Sequence, residues 1–123
     1  MIIEIDFNSE EALYIQLRNQ IIMGIATAKY QEGDSLPSVR SLAEEIGINM
    51  HTVNKAYAVL KQEGMLTLDR RKGAVISLNS DKLRALAETE QELRIPLAKA
   101  FCKGLSKEEI HAVVDEIYEG YGG

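Results

Sequence analysis

Between residues 36 and 73 the apolar positions fall into two short helical stripes and then into alternation. Val39, Leu42, Ala43 and Ile46 recur at spacings of three and four, which predicts a short helix burying one face. Leu36-Pro37-Ser38 opens it, because Pro37 fixes φ and lacks the N–H that a first turn leaves unused, while the Ser38 hydroxyl can cap. Gly47 supplies the left-handed residue that stops it. A second stripe follows at once, made of Val53, Ala56, Tyr57 and Leu60, with Asn49 as its cap and Gly64 as its end. The other side of this helix carries His51, Thr52, Asn54, Lys55, Ala58 and Lys61, mostly polar and small. Beyond Gly64, Leu66-Thr67-Leu68 and Ala74-Val75-Ile76-Ser77 read as two short strands. Between them lies Asp69-Arg70-Arg71-Lys72-Gly73, a turn with three consecutive cations.

The flanks are patterned too. Ile3 and Ile5 alternate with Glu4 and Asp6 as in a strand or an extended arm, and Asn8 or Ser9 stands where it would cap a helix starting near Glu10. On that helix Tyr14, Leu17, Ile21, Ile25 and Ala28 form one stripe; Ile15, Ile22 and Ala26 form a second, nearly opposite. The first is expected to pack on the helix pair and the second to meet the helices after the hairpin. There, Asn79-Ser80 is expected to cap a long helix bearing Leu83, Leu86, Leu93, Leu97 and Ala100, with Glu90 interrupting the row. Pro96 inside it predicts a kink near Arg94-Ile95 or a break. Gly104 ends this segment, Ser106-Lys107-Glu108-Glu109 is a capping box, and Ile110, Val113, Val114, Ile117 and Tyr118 line a last helix. Glu119-Gly120-Tyr121-Gly122-Gly123 is expected to fray, although Tyr121 could dock.

The predicted architecture is mainly α with a small β-hairpin: a winged helix-turn-helix over residues 1–78, followed by a two-helix element over 79–123. In such a fold the second helix of the pair enters the major groove of double-stranded DNA and its N-terminal half reads base edges. The final two helices have no third layer to cover their apolar faces, so a second copy of the chain is expected to cover them, giving a homodimer.

Charge first opposes and then supports this reading. The net charge is −5 and the pI about 5.1, the wrong sign for a phosphate-binding protein. Residues 1–34 hold 2 basic and 6 acidic side chains, residues 35–76 hold 6 and 4, and residues 77–123 hold 6 and 9, giving −4, +2 and −3. The only positive third is the proposed reader. Glu44, Glu45 and Glu63 sit at the C-terminal ends of its two helices, away from the reading end.

Other chemistry is thin. His51, His111 and Cys102 are too scattered for a metal site, and Cys102 with His111 lacks the base and oxyanion donors of a nucleophilic enzyme, so neither a metal or cofactor nor catalysis is expected. The single cysteine excludes an intrachain disulfide. No apolar run is long enough to span a bilayer and Met1-Ile2-Ile3-Glu4 is no signal peptide, so no membrane partner and a cytoplasmic location are expected. A small-molecule effector would have to bind between subunits or against the first helix.

Leu36-Pro37-Ser38, Arg40, Leu42-Ala43, Thr52-Val53, Ala56-Tyr57, Leu60, Glu63-Gly64 and Lys72-Gly73 resemble the pattern of GntR-type transcription regulators. Leu13-Tyr14, Gln16-Leu17, Ile21, Ile25 and Gly33-Asp34 extend the likeness upstream, so that it covers about the first two thirds of the chain. The short helical remainder resembles the YtrA subgroup, which implies a C-terminal dimerisation element and control of transporter operons. Two positions depart from the pattern. Ala12 replaces a proline, and Arg71-Lys72-Gly73-Ala74 replaces a Gly, basic, Gly, Ser or Thr wing tip; Arg71 takes positive φ less cheaply than Gly, which predicts a wider turn. The resemblance assigns Ser38, Arg40, Thr52 and Gly73 to DNA contact, and position adds His51, Asn54, Lys55, Arg70, Arg71 and Lys72. Arg40, Thr52, Asn54 and Lys55 are the base-reading candidates; the others are expected on phosphates or in the minor groove. The expected function is a sequence-specific homodimeric repressor on an inverted-repeat operator. The alternative is a winged helix serving as a protein-interaction or RNA-binding module.

Overall fold

The computed structural model describes residues 1–78 and 80–123 and divides into two compact units, Met1–Asn79 and Ser80–Gly123. The first holds α1 (Leu13–Ala26), α2 (Val39–Ile46), α3 (Met50–Gln62), β1 (Leu66–Asp69) and β2 (Gly73–Ile76); the second holds α4 (Lys82–Cys102) and α5 (Lys107–Gly120). The winged helix-turn-helix is therefore present: α2 and α3 form the pair, and β1 and β2 pair antiparallel with Leu66 opposite Ile76 and Asp69 opposite Gly73.

Its core is drawn from the predicted stripes, with Tyr14, Ile25, Val39 and Ile46 only half-buried at its edge. Leu17 and Ile21 from α1, Leu42 and Ala43 from α2, Val53, Ala56, Tyr57 and Leu60 from α3, and Leu66, Ala74 and Ile76 from the hairpin are buried together. Leu36 joins them from the chain entering α2. This entry segment also extends the sheet, because Leu36 N–H donates to the Ala74 carbonyl at 2.8 Å and Ile76 N–H to the Asp34 carbonyl at 2.9 Å. The wing is thus tied by backbone bonds to the start of the helix-turn-helix, which no side-chain pattern announced.

The N-terminal helix departs from expectation at both ends. It begins at Leu13, not near Glu10, and neither Asn8 nor Ser9 caps it: Ala12 occupies the cap position with no side-chain bond. Ser9 Oγ instead accepts from Glu11 N–H at 3.1 Å, closing a local turn ahead of the helix. The arm before it is extended but is no strand, since two side-chain amides on α1 stand in for a strand partner. Gln16 accepts from Asp6 N–H at 2.9 Å and donates to the Asp6 carbonyl at 3.0 Å. One turn on, Gln20 accepts from Glu4 N–H at 2.9 Å and donates to the Glu4 carbonyl. At its other end α1 stops at Ala26, so Ala28 lies outside the helical stripe, in the left-handed region at φ +62°. Of the second stripe, Ile22 packs on the reader's own core, whereas Ile15 is half-buried.

In the second unit α4 runs unbroken through Pro96. Of its expected Asn79-Ser80 cap, Asn79 lies outside the described residues; the cap is Asp81, whose carboxylate accepts from Arg84 N–H at 3.1 Å. The capping box of α5 is formed as read, with Ser106 Oγ accepting from Glu109 N–H at 3.0 Å and the Glu109 carboxylate from Ser106 N–H at 2.9 Å. Those bonds hold the Glu109 carboxyl below its ordinary range. The last residues are bonded back onto α5: Gly122 N–H donates to the Glu119 carbonyl and Gly123 N–H to that of Tyr118, both at 3.0 Å, and the Tyr121 ring stands 6.1 Å from that of Tyr118. Within this unit no described residue is buried, and Leu83, Leu86, Leu93, Leu97, Val113, Val114 and Ile117 are exposed.

Candidate nucleic-acid interface

The helix pair is set by its caps and by one buried tyrosine. Ser38 Oγ accepts from Ser41 N–H at 3.1 Å, Gly47 closes α2 at φ +72°, and Asn49 Oδ1 accepts from His51 N–H at 2.7 Å to start α3. Tyr57, 6% exposed, spans the pair by donating its hydroxyl to the Pro37 carbonyl at 2.8 Å. Burial pushes its phenol well above the ordinary value, so the ring remains a neutral donor.

With Val53, Ala56, Tyr57 and Leu60 turned inward, His51, Asn54, Lys55, Ala58 and Lys61 are exposed on α3 and Thr52 is half-buried. Ser38 and Arg40 are exposed at the start of α2. The first turns of the two helices meet in a shallow hollow lined by Val39, Asn49, Met50, His51 and Asn54. The structure thus brings His51 and Asn54 together with α2 between Ser38 and Arg40. It also adds Val39, expected in the core, and Met50, for which the sequence pattern carries no signal. Lys55 is held elsewhere: its Nζ lies 4.1 Å from the centre of the Tyr14 ring, which tethers this cation to α1. The signal for that pairing was weak, since Tyr14 reads as one more core aromatic.

Arg70, Arg71 and Lys72 occupy the hairpin tip and are exposed. Three residues, Arg70, Arg71 and Lys72, link the paired Asp69 and Gly73. Positive φ is needed only at Gly73, at +76°, and Arg71 needs none. The Asp69 carboxylate accepts from the N–H groups of Arg71 at 2.7 Å and Lys72 at 3.0 Å, which organises the three-cation tip from beneath. Those bonds, with the Lys72 charge, hold the Asp69 carboxyl below its usual range.

The electrostatics of this face are cleaner than the residue count implies. Glu63 is paired with Arg18, whose Nε donates to it at 2.8 Å, and Asp69 is occupied by backbone donors. The remaining acids of the segment, Glu44 and Glu45, stand at the far end of α2. Among the described residues no group of His, Cys, Asp and Glu could hold a metal, and no helix is long and apolar enough to cross a membrane.

The family model for bacterial regulatory proteins of the gntR family matches residues 11–76. The HTH-type transcriptional repressor YtrA of Bacillus subtilis (strain 168) is 32% identical over 118 residues, which cover 94% of this chain and 91% of that protein. Among solved structures, a transcriptional antiterminator from Listeria monocytogenes EGD-e aligns at a TM-score of 0.83 and 31% identity, covering 100% of this chain and 95% of the other. YtrA from Sulfolobus acidocaldarius, a GntR-family transcription factor, aligns at 0.70 and 35% identity over 83% of this chain and 99% of its own.

Proposed function

The chain belongs to the gntR family as a YtrA-like, DNA-binding transcription regulator, and on that premise we propose that it is a homodimeric repressor whose two winged helices read the halves of an inverted repeat. The observation that carries this is the division of labour between the units. One presents an exposed polar α3 face and a cationic wing tip; the other consists of helices with exposed leucines and valines and no buried core of its own. Apolar faces of that kind call for a partner, and a second copy supplies two readers related by a two-fold axis. The likeness to a named repressor supports repression, and a transporter-type operon as the target is what the resemblance of the sequence to the YtrA subgroup implies.

In this reading Asn54, Arg40 and Thr52 face base edges, His51 and Ser38 lie against the backbone, and Arg70, Arg71, Lys72 and Gly73 serve phosphates or the minor groove. Lys55, tethered over Tyr14, serves a phosphate instead of a base. The test is selection of bound duplexes from a random pool, followed by affinity measured against salt. A two-fold symmetric consensus is expected, with log K falling by about 0.9 per phosphate neutralised for every unit of log salt. Asn54→Ala should relax preference at particular positions, whereas Lys72→Ala should weaken all sequences alike. Retention of the full preference by both variants would displace the reading face. Tighter binding to single-stranded RNA than to any duplex would favour the RNA-binding alternative.

A further inference from the structure

We propose that Met50, with Val39 beside it, forms an apolar subsite that recognises the C5-methyl group of a thymine in the major groove. The inference rests on α3 facing the bases, and it adds a residue and a ligand chemistry to that reading.

Met50 is the first residue of α3, next to its cap Asn49, and is 45% exposed. An isolated exposed methionine needs no explanation, but this one is not isolated. It lines the same hollow as Val39, the first residue of α2, so two apolar side chains from two helix starts contribute to its wall. The other residues lining it are polar: Asn49, His51 and Asn54. Asn49 is committed to its cap bond with His51 N–H. The Asn54 amide makes no hydrogen bond among the described residues and can both donate and accept.

An apolar pair beside an amide matches what the major groove offers. Thymine is the only standard base that projects a methyl group there, and an amide is the side chain suited to adenine N6 and N7. Met50 and Asn54 are four residues apart, so they lie on one side of α3 a turn from each other. A methyl under Met50 would therefore sit close to the base pair facing Asn54. The thioether is unbranched and polarisable, which lets it close over a methyl without a fixed rotamer.

The experiment uses the full chain and a duplex selected from a random pool, in which each thymidine is replaced in turn by deoxyuridine, a change that removes only the methyl. At one position per half-site the wild type should bind about fourfold more weakly, the value of one buried methyl-sized group. Met50→Ala, at an exposed site that should leave the melting curve unchanged, should bind both duplexes alike; Met50→Leu should retain the discrimination. The proposal is overturned if no thymidine is methyl-sensitive in the wild type, or if the sensitivity survives in Met50→Ala. If no duplex is selected at all, the DNA reading itself fails, and this inference with it.

Discussion

The Tyr57 hydroxyl on α3 donates to the Pro37 carbonyl at the threshold of α2, 2.8 Å away. Pro37 has no N–H to offer a neighbour, so its carbonyl is the only polar group by which this residue can be fixed. The bond ties the entry of one helix to the middle of the next and holds the angle between them. Tyr57→Phe keeps the ring and removes the bond alone, so unfolding free energy should drop by about 1 kcal/mol. In urea titrations the midpoint should shift with an unchanged m-value. An unshifted midpoint would show that the bond has no net worth.

The same hydroxyl predicts a pH dependence of definite sign. Burial raises the Tyr57 phenol above its unfolded value, so between the two values the unfolded chain has lost a proton that the folded chain keeps. Its contribution is intact below the ordinary tyrosine value of about 10 and is lost as pH rises beyond it, at up to about 1.4 kcal/mol per pH unit. The stability advantage of the wild type over Tyr57→Phe should therefore narrow above about pH 10. A constant gap into alkali would contradict the assignment.

What the sequence made legible follows from where local chemistry decides structure. Ser38, Asn49 and Ser106 cap helices as read because a side-chain oxygen beside free N–H groups has few better options; the α3 stripe is buried as read because its period matches a helix, whereas of the α2 stripe Leu42 and Ala43 are buried and Val39 and Ile46, at the two ends of a short helix, are half-buried. Ala12 and Asp81 were missed for a related reason. Several polar residues compete at each start, and the winner depends on where tertiary contacts begin the helix, as when Gln16 draws the arm across α1. The backbone bridge from Asp34–Leu36 to β2 has no side-chain signature at all. In the site, exposed cations were legible by charge, whereas the Met50 and Val39 hollow arises from two helix starts eleven residues apart and needed coordinates.

Helix ends predict a stabilising substitution. Lys29 N–H donates to the Gly24 carbonyl at 2.8 Å and Ala28 N–H to that of Ile25 at 3.1 Å, the paired bonds of a Schellman motif. Gly64 after α3 and Gly104 after α4 hold the equivalent left-handed position, but after α1 it is Ala28, the only described non-glycine residue with positive φ. Ala28→Gly should relieve that strain and raise stability by about 1 kcal/mol, net of the greater freedom of the unfolded chain. Thermal melts decide it: a lower Tm would mean that the left-handed alanine is not strained.

The wing separates charge from geometry at one residue. Asp69 is an acid beneath a tip proposed to meet phosphate, yet its carboxylate organises that tip. Asp69→Asn keeps an oxygen acceptor and removes the charge, so affinity for every duplex should rise; Asp69→Ala removes both and should bind more weakly than Asp69→Asn. Because the Asp69 carboxyl is held below its ordinary range, the turn should be intact above about pH 4 and loosen as pH falls further. Anisotropy titrations of the two variants test this, and equal affinities would mean that the carboxylate's bonds do not shape the tip.

Leu93 and Leu97 lie four residues apart on α4, 45% and 40% exposed, and so share one face of a helix that buries nothing within its own unit. If this face is the seam of the proposed dimer, Leu93→Glu or Leu97→Glu places a carboxylate where desolvation and lost packing act together. Each variant should sediment as a monomer. Two linked readers gain from effective concentration, so the wild type should favour a full inverted repeat over a half-site by about a hundredfold or more, and the variants should lose that preference while keeping half-site affinity. Removal of residues 80–123 should do the same to the isolated reader. A charged variant that remains dimeric and prefers the full repeat would show that this face of α4 is not the seam, and would direct attention to the half-buried Ile15 on α1.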